Sequence, residues 1–311
     1  MISIGLPAVK TEFLREALQS VMEQSYNAFE LILVNDRKDV SIRDIALSFN
    51  DPRIRYYEEK NILPVTANWN RTLAYAQGEF FVLFADDDRY HPDFLLTLHN
   101  LTEQYPSCDL FHCRVARMNA EGKVFRSTPL CPEFETGLNF VLERLSNRRE
   151  QFAPEFMVRT EALRAAGGFV EMPMAWGSDD LTWFTLALRC GVAYASEELV
   201  FWRESGNQIS RSGNYPERLE AVINYSAWIE QNILTLKGRT QEEQSLLEQI
   251  RAVYRNYANH QKIYLMAMHA CQSTWKMHFR FFLEHRKKYG LIWKWYFYAV
   301  VVARHQRQLK P

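Results

Sequence analysis

Three consecutive carboxylates, Asp86, Asp87 and Asp88, follow the most hydrophobic run of the sequence, Phe80 to Phe84. Like charges this close raise one another's pKa values, and a divalent cation relieves the repulsion. Mg2+ and Mn2+ take oxygen ligands and commonly bridge one or two carboxylates to phosphate oxygens. A solvated Asp-rich turn is the plainer explanation, but the position at the end of a buried strand favours a metal site. A second acidic pair, Asp179-Asp180, opens a helical pattern that runs to about Cys190 and stops at Gly191. Capping of a helix N-terminus would account for that pair alone. Beside an acidic metal site it also suits a general base. Trp176, on the glycine-bearing loop before the pair, is either a core aromatic or a stacking platform for an acceptor.

These groups need a scaffold, and the hydrophobic pattern supplies one. Ile2 to Leu6, Phe29 to Val34, Ile54 to Tyr57 and Phe80 to Phe84 read as short strands. Between them lie helical patterns, among them Phe13 to Met22, Ile42 to Phe49 and Ala67 to Ala76, and Pro92 opens another. Such alternation predicts an α/β domain with a mostly parallel central sheet over residues 1–214. Ligands of such sheets bind at the carboxyl ends of the strands. Asn35-Asp36 and the three aspartates fall there. From residue 215 to 311 glycine is scarce and apolar residues recur at helical spacing, which predicts a helical C-terminal region.

The 311 residues carry 37 Lys+Arg and 37 Asp+Glu, and 47% are hydrophobic. This excludes a disordered chain and argues against a general nucleic-acid binder. The odd set Cys108, Cys113, Cys131, Cys190 and Cys271 contains no CxxC pair, so neither a disulfide framework nor a zinc site is expected. The opening MISIGLPAV does not read as a signal peptide, so a cytoplasmic protein is expected. Leu291 to Ala303 (LIWKWYFYAVVVA) is short of the roughly 20 residues a bilayer-crossing helix needs. It reads as a core helix or as a peripheral membrane contact over 291–304 at the inner membrane face. His91 reads as a surface residue at a helix start, with an approach to the acidic cluster the alternative, and His112 reads as a structural strand residue.

In this order the segments resemble family 2 glycosyltransferases, which have the GT-A fold. The resemblance rests on ISIGLPAVKTEFLREALQSVMEQSYNAFELILVND, PVTANWNRTLAYAQGEFFVLFADDDRYHPDFL, GGFVEMPMAWGSDD and FWRESGNQIS. It covers Ile2 to Ser210, about two thirds of the chain. It implies that Pro7, Ala8 and Val9 lie beside the nucleotide base, and that Asp36, with Asn35, bonds the base or ribose. Trp69 and Asn70 would line the donor pocket, and Asp86 would touch ribose or metal. Asp87 would be the principal ligand of Mn2+ or Mg2+, with Asp88 the alternative. Asp180 would be the catalytic base, with Asp179 at the preceding acidic position, and Arg203 would pair with phosphate. Ala85 replaces an acidic residue of the family's metal motif, and Ser205 replaces a histidine.

The implied reaction is an inverting transfer from a nucleoside-diphosphate sugar, a UDP-sugar first, to a glycan or lipid-linked hydroxyl of a bacterial-type surface glycan. Two other readings stand beside it. A sugar nucleotidyltransferase would need a glycine-rich loop after the first strand, where this chain has Pro7-Ala8-Val9-Lys10. A catalytically weak nucleotide-sugar or glycan-binding scaffold is motivated by Ala85 and Ser205.

Overall fold

The computed structural model describes residues 1–37, 39–204 and 215–308, with side chains through 304. Its first elements are β1 (Ile2–Pro7), α1 (Leu14–Met22), β2 (Phe29–Asn35), α2 (Val40–Ser48), β3 (Ile54–Glu58), α3 (Val65–Tyr75), β4 (Phe80–Leu83), β5 (Arg89–Tyr90) and α4 (Phe94–Gln104). There follow β6 (Leu110–Met118), β7 (Val124–Ser127), β8 (Phe134–Glu135), α5 (Gly137–Leu145), β9 (Phe156–Arg159), α6 (Thr160–Ala165), α7 (Ser178–Cys190) and β10 (Val192–Arg203). Helices α8 (Tyr215–Asn232), α9 (Gln241–Gln272), α10 (Trp275–Tyr289) and α11 (Trp293–Gln308) complete the described chain.

Among the described residues one sheet runs in the order β3-β2-β1-β4-β9-β6-β10-β5, with β7 on β6 and β8 on β10. Strands β3, β2, β1 and β4 are mutually parallel, and β10 runs parallel to β6. Strand β9 is antiparallel to both of its neighbours. This is the mixed α/β fold with a parallel central ladder that the apolar runs predict. Strands β1, β2 and β4 are almost wholly buried and mostly apolar, as expected when helices cover both faces, whereas β3 at the edge is half-buried. Leu14, Leu18 and Val21 of α1, together with Phe94 and Leu98 of α4, join Ile4, Leu33 and Val82 in one core.

Two element ends differ from the sequence reading. Helix α3 begins at Val65, two residues before Ala67, because Pro64 caps it and its carbonyl accepts from the Asn68 N–H at 2.9 Å. Strand β4 stops at Leu83; the Phe84 N–H still reaches the Gly5 carbonyl at 2.8 Å, and the chain then turns away. Gly5 allows α3 and Phe81 to approach β1. A Cβ there would sit 2.5 Å from Thr72 Oγ1 and 2.6 Å from Phe81 Cζ.

The chain divides into two compact units, Met1–Glu171 with Ser178–Gln208, and Met172–Gly177 with Ile209–Pro311. The second contains α8–α11. Thr240 and Thr274 cap α9 and α10 by accepting from the Glu243 and Met277 N–H groups. Gly290, at φ 62° in the left-handed region, ends α10. Leu219, Val222, Met266, Phe282, Leu291 and Ala299 form this unit's core, and Trp176 packs against it. Among the described residues no helix is long and apolar enough to cross a membrane.

Candidate active site

Parallel pairing sets β2, β1 and β4 side by side, so the segments after them share one edge of the sheet. Gly5 faces Leu83 and Pro7 faces Val34 in the register. The segment after β1 is therefore held against the acidic run after β4. The backbone N–H groups of Val9 and Lys10 both donate to Asp86 Oδ2 at 2.7 Å. Asp86 is 5% exposed. Burial, and then the charge of Asp87, push its pKa up, while the two amides pull it down.

Asp88 is buried, and its Oδ1 accepts from the Arg203 backbone N–H at 2.8 Å. Burial and the Asp87 charge hold its carboxyl well above the usual carboxylate range. The Arg203 side chain ties this loop to two other places. Its Nε donates to the Asp87 carbonyl at 2.8 Å, its Nη1 to the Ala120 carbonyl at 2.8 Å, and its Nη2 to Glu16 Oε2 at 2.7 Å. Its guanidinium also lies 4.1 Å from the Phe13 ring centre. These bonds engage Nε, Nη1 and Nη2, so Arg203 holds the loop in place. Ser205 lies outside the described residues.

Asp87 differs from its neighbours. Its side chain is partly open, and Oδ2 faces the Lys10 ammonium at 3.3 Å. Among the described residues no group of three or more His, Cys, Asp and Glu side chains is arranged to hold a metal ion. The donor set fits a different arrangement, with one or two carboxylates completed by phosphate oxygens, which is the usual habit of Mg2+. Asp87, supported by Asp86 or Asp88, meets that requirement; a cage built from protein alone is not present among the described residues.

At the end of β2, Asn35 organises its own loop. Its Nδ2 donates to the Asp39 carbonyl at 2.9 Å and to Tyr56 Oη at 3.0 Å. Its Oδ1 accepts from the Arg37 and Asp39 N–H groups. Asp36 is buried; Oδ2 accepts from the Leu63 N–H at 3.2 Å, and Oδ1 has no hydrogen-bond partner among the described residues. Arg37 Nε faces that oxygen at 4.0 Å, beyond hydrogen-bond range, so it can still accept a hydrogen bond. Asn70 and Trp69 shape the loop at Gly168-Phe169. Asn70 Oδ1 accepts from the Phe169 N–H at 2.7 Å, Nδ2 donates to the Phe169 carbonyl at 3.1 Å, and the Trp69 ring meets Phe169 edge-on. Gly168, at φ 83°, has the left-handed backbone this close approach needs.

The second acidic pair lies in the first turn of α7. Asp180 is buried, and Arg144 in the last turn of α5 grips it: Nε is 3.0 Å from each oxygen, and Nη2 is 2.8 Å from Oδ2. Asp179 is half-buried. Burial and the Asp180 charge push its carboxyl up to about 7, against the nearby backbone N–H groups and Arg144. Trp176 belongs to the second unit, where its ring packs edge-on to Tyr225 at 5.5 Å. Sequence reasoning passed over Lys10 and Arg144 as site residues. The position of Lys10 directly after the first strand was a usable signal; nothing in the sequence joins Arg144 to Asp180.

The model of the family described as Glycosyl transferase family 2 matches residues 3–164. The chain belongs to this family. Similar curated relatives include an uncharacterized glycosyltransferase of Rickettsia typhi, 31% identical over 94 residues, or 30% of this chain and 29% of that protein. Another is the putative colanic acid biosynthesis glycosyl transferase WcaA of Escherichia coli K12, 32% identical over 96 residues, or 30% of this chain and 34% of that protein. The matches span about a third or less of the length of these first relatives. Among solved structures, S. aureus TarS 1-349 in complex with UDP-GlcNAc has a TM-score of 0.66 at 15% identity, covering 99% of this chain and 91% of that one. The mannosyltransferase PcManGT of Pyrobaculum calidifontis, in complex with GDP-Man and Mn2+, has a TM-score of 0.58 at 15% identity, covering 99% and 87%. These likenesses establish a GT-A-like fold for this family 2 chain.

Proposed function

We propose that this chain is an inverting, metal-assisted glycosyltransferase that moves a sugar from a nucleoside-diphosphate sugar to a glycan or lipid-linked hydroxyl. The observation that carries the reading is the clasp between two strand ends. The amides of Val9 and Lys10 hold Asp86, and this leaves Asp87 as the partly open carboxylate beside Lys10. Family membership and the ligands named for TarS and PcManGT support the donor class. The name of WcaA supports a bacterial-type surface glycan as the product.

Pro7, Ala8 and Val9 would flank the base, and Asp36 Oδ1 would accept from a base or ribose donor. Asp87, with Asp86 or Asp88, would hold Mn2+ or Mg2+, which supplies charge neutralisation for the departing diphosphate. Lys10 would add a second positive charge on the same side, and Arg203 would keep the loop in register. The acceptor oxygen attacks the anomeric carbon, the carbon–oxygen bond to the diphosphate breaks, and that electron pair leaves with the diphosphate. The acceptor proton passes to the Asp179-Asp180 pair. Arg144 occupies both oxygens of Asp180, whereas Asp179 is the carboxylate raised to about 7, and a base works best with its pKa near the working pH. We therefore give the proton to Asp179 and make Asp180 the carboxylate that Arg144 holds in place beside it, the reverse of the roles implied by resemblance.

Melting curves with UDP-, GDP-, dTDP- and CMP-sugars, with and without Mn2+, test the donor. One class should raise the melting temperature, more so with the metal, because a ligand that binds the native state stabilises it. Release of nucleoside diphosphate should then accompany transfer. No shift from any donor, in an otherwise folded chain, overturns the reading.

A further inference from the structure

The last two described helices carry a surface that transferase chemistry does not use. On α10, Trp275, Phe279 and Leu283 recur every fourth residue and are exposed; on α11, Trp293, Phe297 and Val301 do the same. Trp275 is 71% exposed, Phe297 62% and Val301 63%. Four-residue spacing places each set on one helix face. The two stripes meet, for the Phe279 and Trp293 rings are 6.2 Å apart and Trp293 stacks on Phe297. The opposite faces are already occupied: Phe281, Phe282, Tyr289, Leu291, Tyr296 and Ala299 are buried in the core of this unit. The exposed stripes are thus a second apolar face, beyond what packing requires.

Charge marks what this face meets. Arg280 pairs with Glu284, the one carboxylate from Trp275 to Arg304. Lys276, Arg286, Lys287, Lys288, Lys294 and Arg304 remain, all exposed, in a chain whose net charge is zero. The Arg286 guanidinium lies 5.3 Å from the Trp293 ring centre, and the Lys276 ammonium 5.7 Å from that of Trp275. A second copy of this chain, docked by two-fold symmetry, would bring the same six cations against themselves. An anionic bilayer answers both features, with headgroup charge for the cations and a shallow apolar layer for aromatic side chains.

We propose that the α10–α11 face docks in the plane of an anionic membrane surface, with Trp275, Phe279, Trp293 and Phe297 at headgroup depth. The proposal is independent of the transferase reading, because it is tested without donor or acceptor. The full chain is sedimented with phosphatidylcholine vesicles, with and without phosphatidylglycerol. Binding should require the anionic lipid and weaken with salt. Phe297→Ser should cost about tenfold in partitioning. Neutralising Lys287 to Gln should cost about fivefold. Both sites are exposed, and circular dichroism checks the fold of each variant. Quenching of tryptophan emission by brominated lipid reads insertion in the unaltered chain. Absence of binding, equal binding to neutral vesicles, or variants that partition like the parent would overturn the proposal. A dimer that Phe297→Ser dissociates would assign the face to a second copy instead.

Discussion

Arg144 holds both carboxylate oxygens of Asp180, with Nε 3.0 Å from each, while the adjacent Asp179 remains half-buried with its carboxyl raised to about 7. One arginine thereby gives two neighbouring aspartates different surroundings. The prediction is a split between two variants. Asp179→Asn should lower kcat by roughly 10²–10⁴-fold with little change in melting temperature. Asp180→Asn leaves Arg144 without its buried anion, so its first effect should be a lower melting temperature. A base titrating near 7 must be deprotonated to act, so kcat should rise from pH 6 to pH 8 and level off above. If Asp180→Asn abolishes turnover in a chain of parental stability while Asp179→Asn stays active, Asp180 is the base.

Asp87 and Lys10 make a second testable pair. Asp87→Asn should remove the Mn2+-dependent part of the donor-induced melting shift. Lys10→Met should act in the opposite direction on the metal, because it removes a competing positive charge. Two unit charges about 4 Å apart in water interact by about 1 kcal/mol, so half-saturation by Mn2+ should fall about fivefold. Donor affinity measured without metal should weaken in the same variant, since Lys10 would then no longer meet the diphosphate. A metal titration unmoved by Asp87→Asn would remove that residue from the metal site.

The strands were readable because β1, β2 and β4 are short, mostly apolar runs, broken only by Ser3 in β1 and by Glu30 and the terminal Asn35 in β2, and the acidic loop was readable because it follows β4. Strand β9 was not, for Phe156–Arg159 is only four residues and nothing in so short a run tells its direction or its place between β4 and β6. The partners of the site aspartates were hidden for another reason. Asp180 meets an arginine 36 residues away, and Arg203 meets Glu16 across 187 residues. Residue types show that such charges need partners; only the folded chain decides which ones meet.

The Arg203 knot predicts a variant in which charge is kept and geometry lost. Lysine cannot span the Asp87 and Ala120 carbonyls and Glu16 together, because those bonds use three nitrogens of a planar fork. Arg203→Lys should destabilise the first unit by roughly 2–4 kcal/mol, since a buried cationic side chain loses bonds that hold it in place. Its donor-binding loop should loosen as well, seen as a weaker donor-induced melting shift than in the parent. Denaturant unfolding gives the first number, and the melting panel gives the second.

In the second unit, acid should act through His269 and His278. Their Nδ1 atoms are 2.9 Å apart, so one ring donates and the other accepts, and a proton on both is excluded at that distance. Tyr215 and Phe281 face His269, Ser273 bonds it, and Tyr296 stacks on His278. Burial, and then the charge of His269, lower His278 to about 4; burial, and then His285, lower His269. A histidine whose folded pKa is depressed favours the neutral form, so its contribution to stability is complete above the unfolded value of about 6.5. That contribution is lost as pH falls from about 6.5 toward 4. Melting of the parent should therefore drop more steeply over this window than melting of His278→Phe, which keeps an aromatic against Tyr296 and has no proton to gain. Parallel curves for the two proteins would show that the pair does not couple folding to pH.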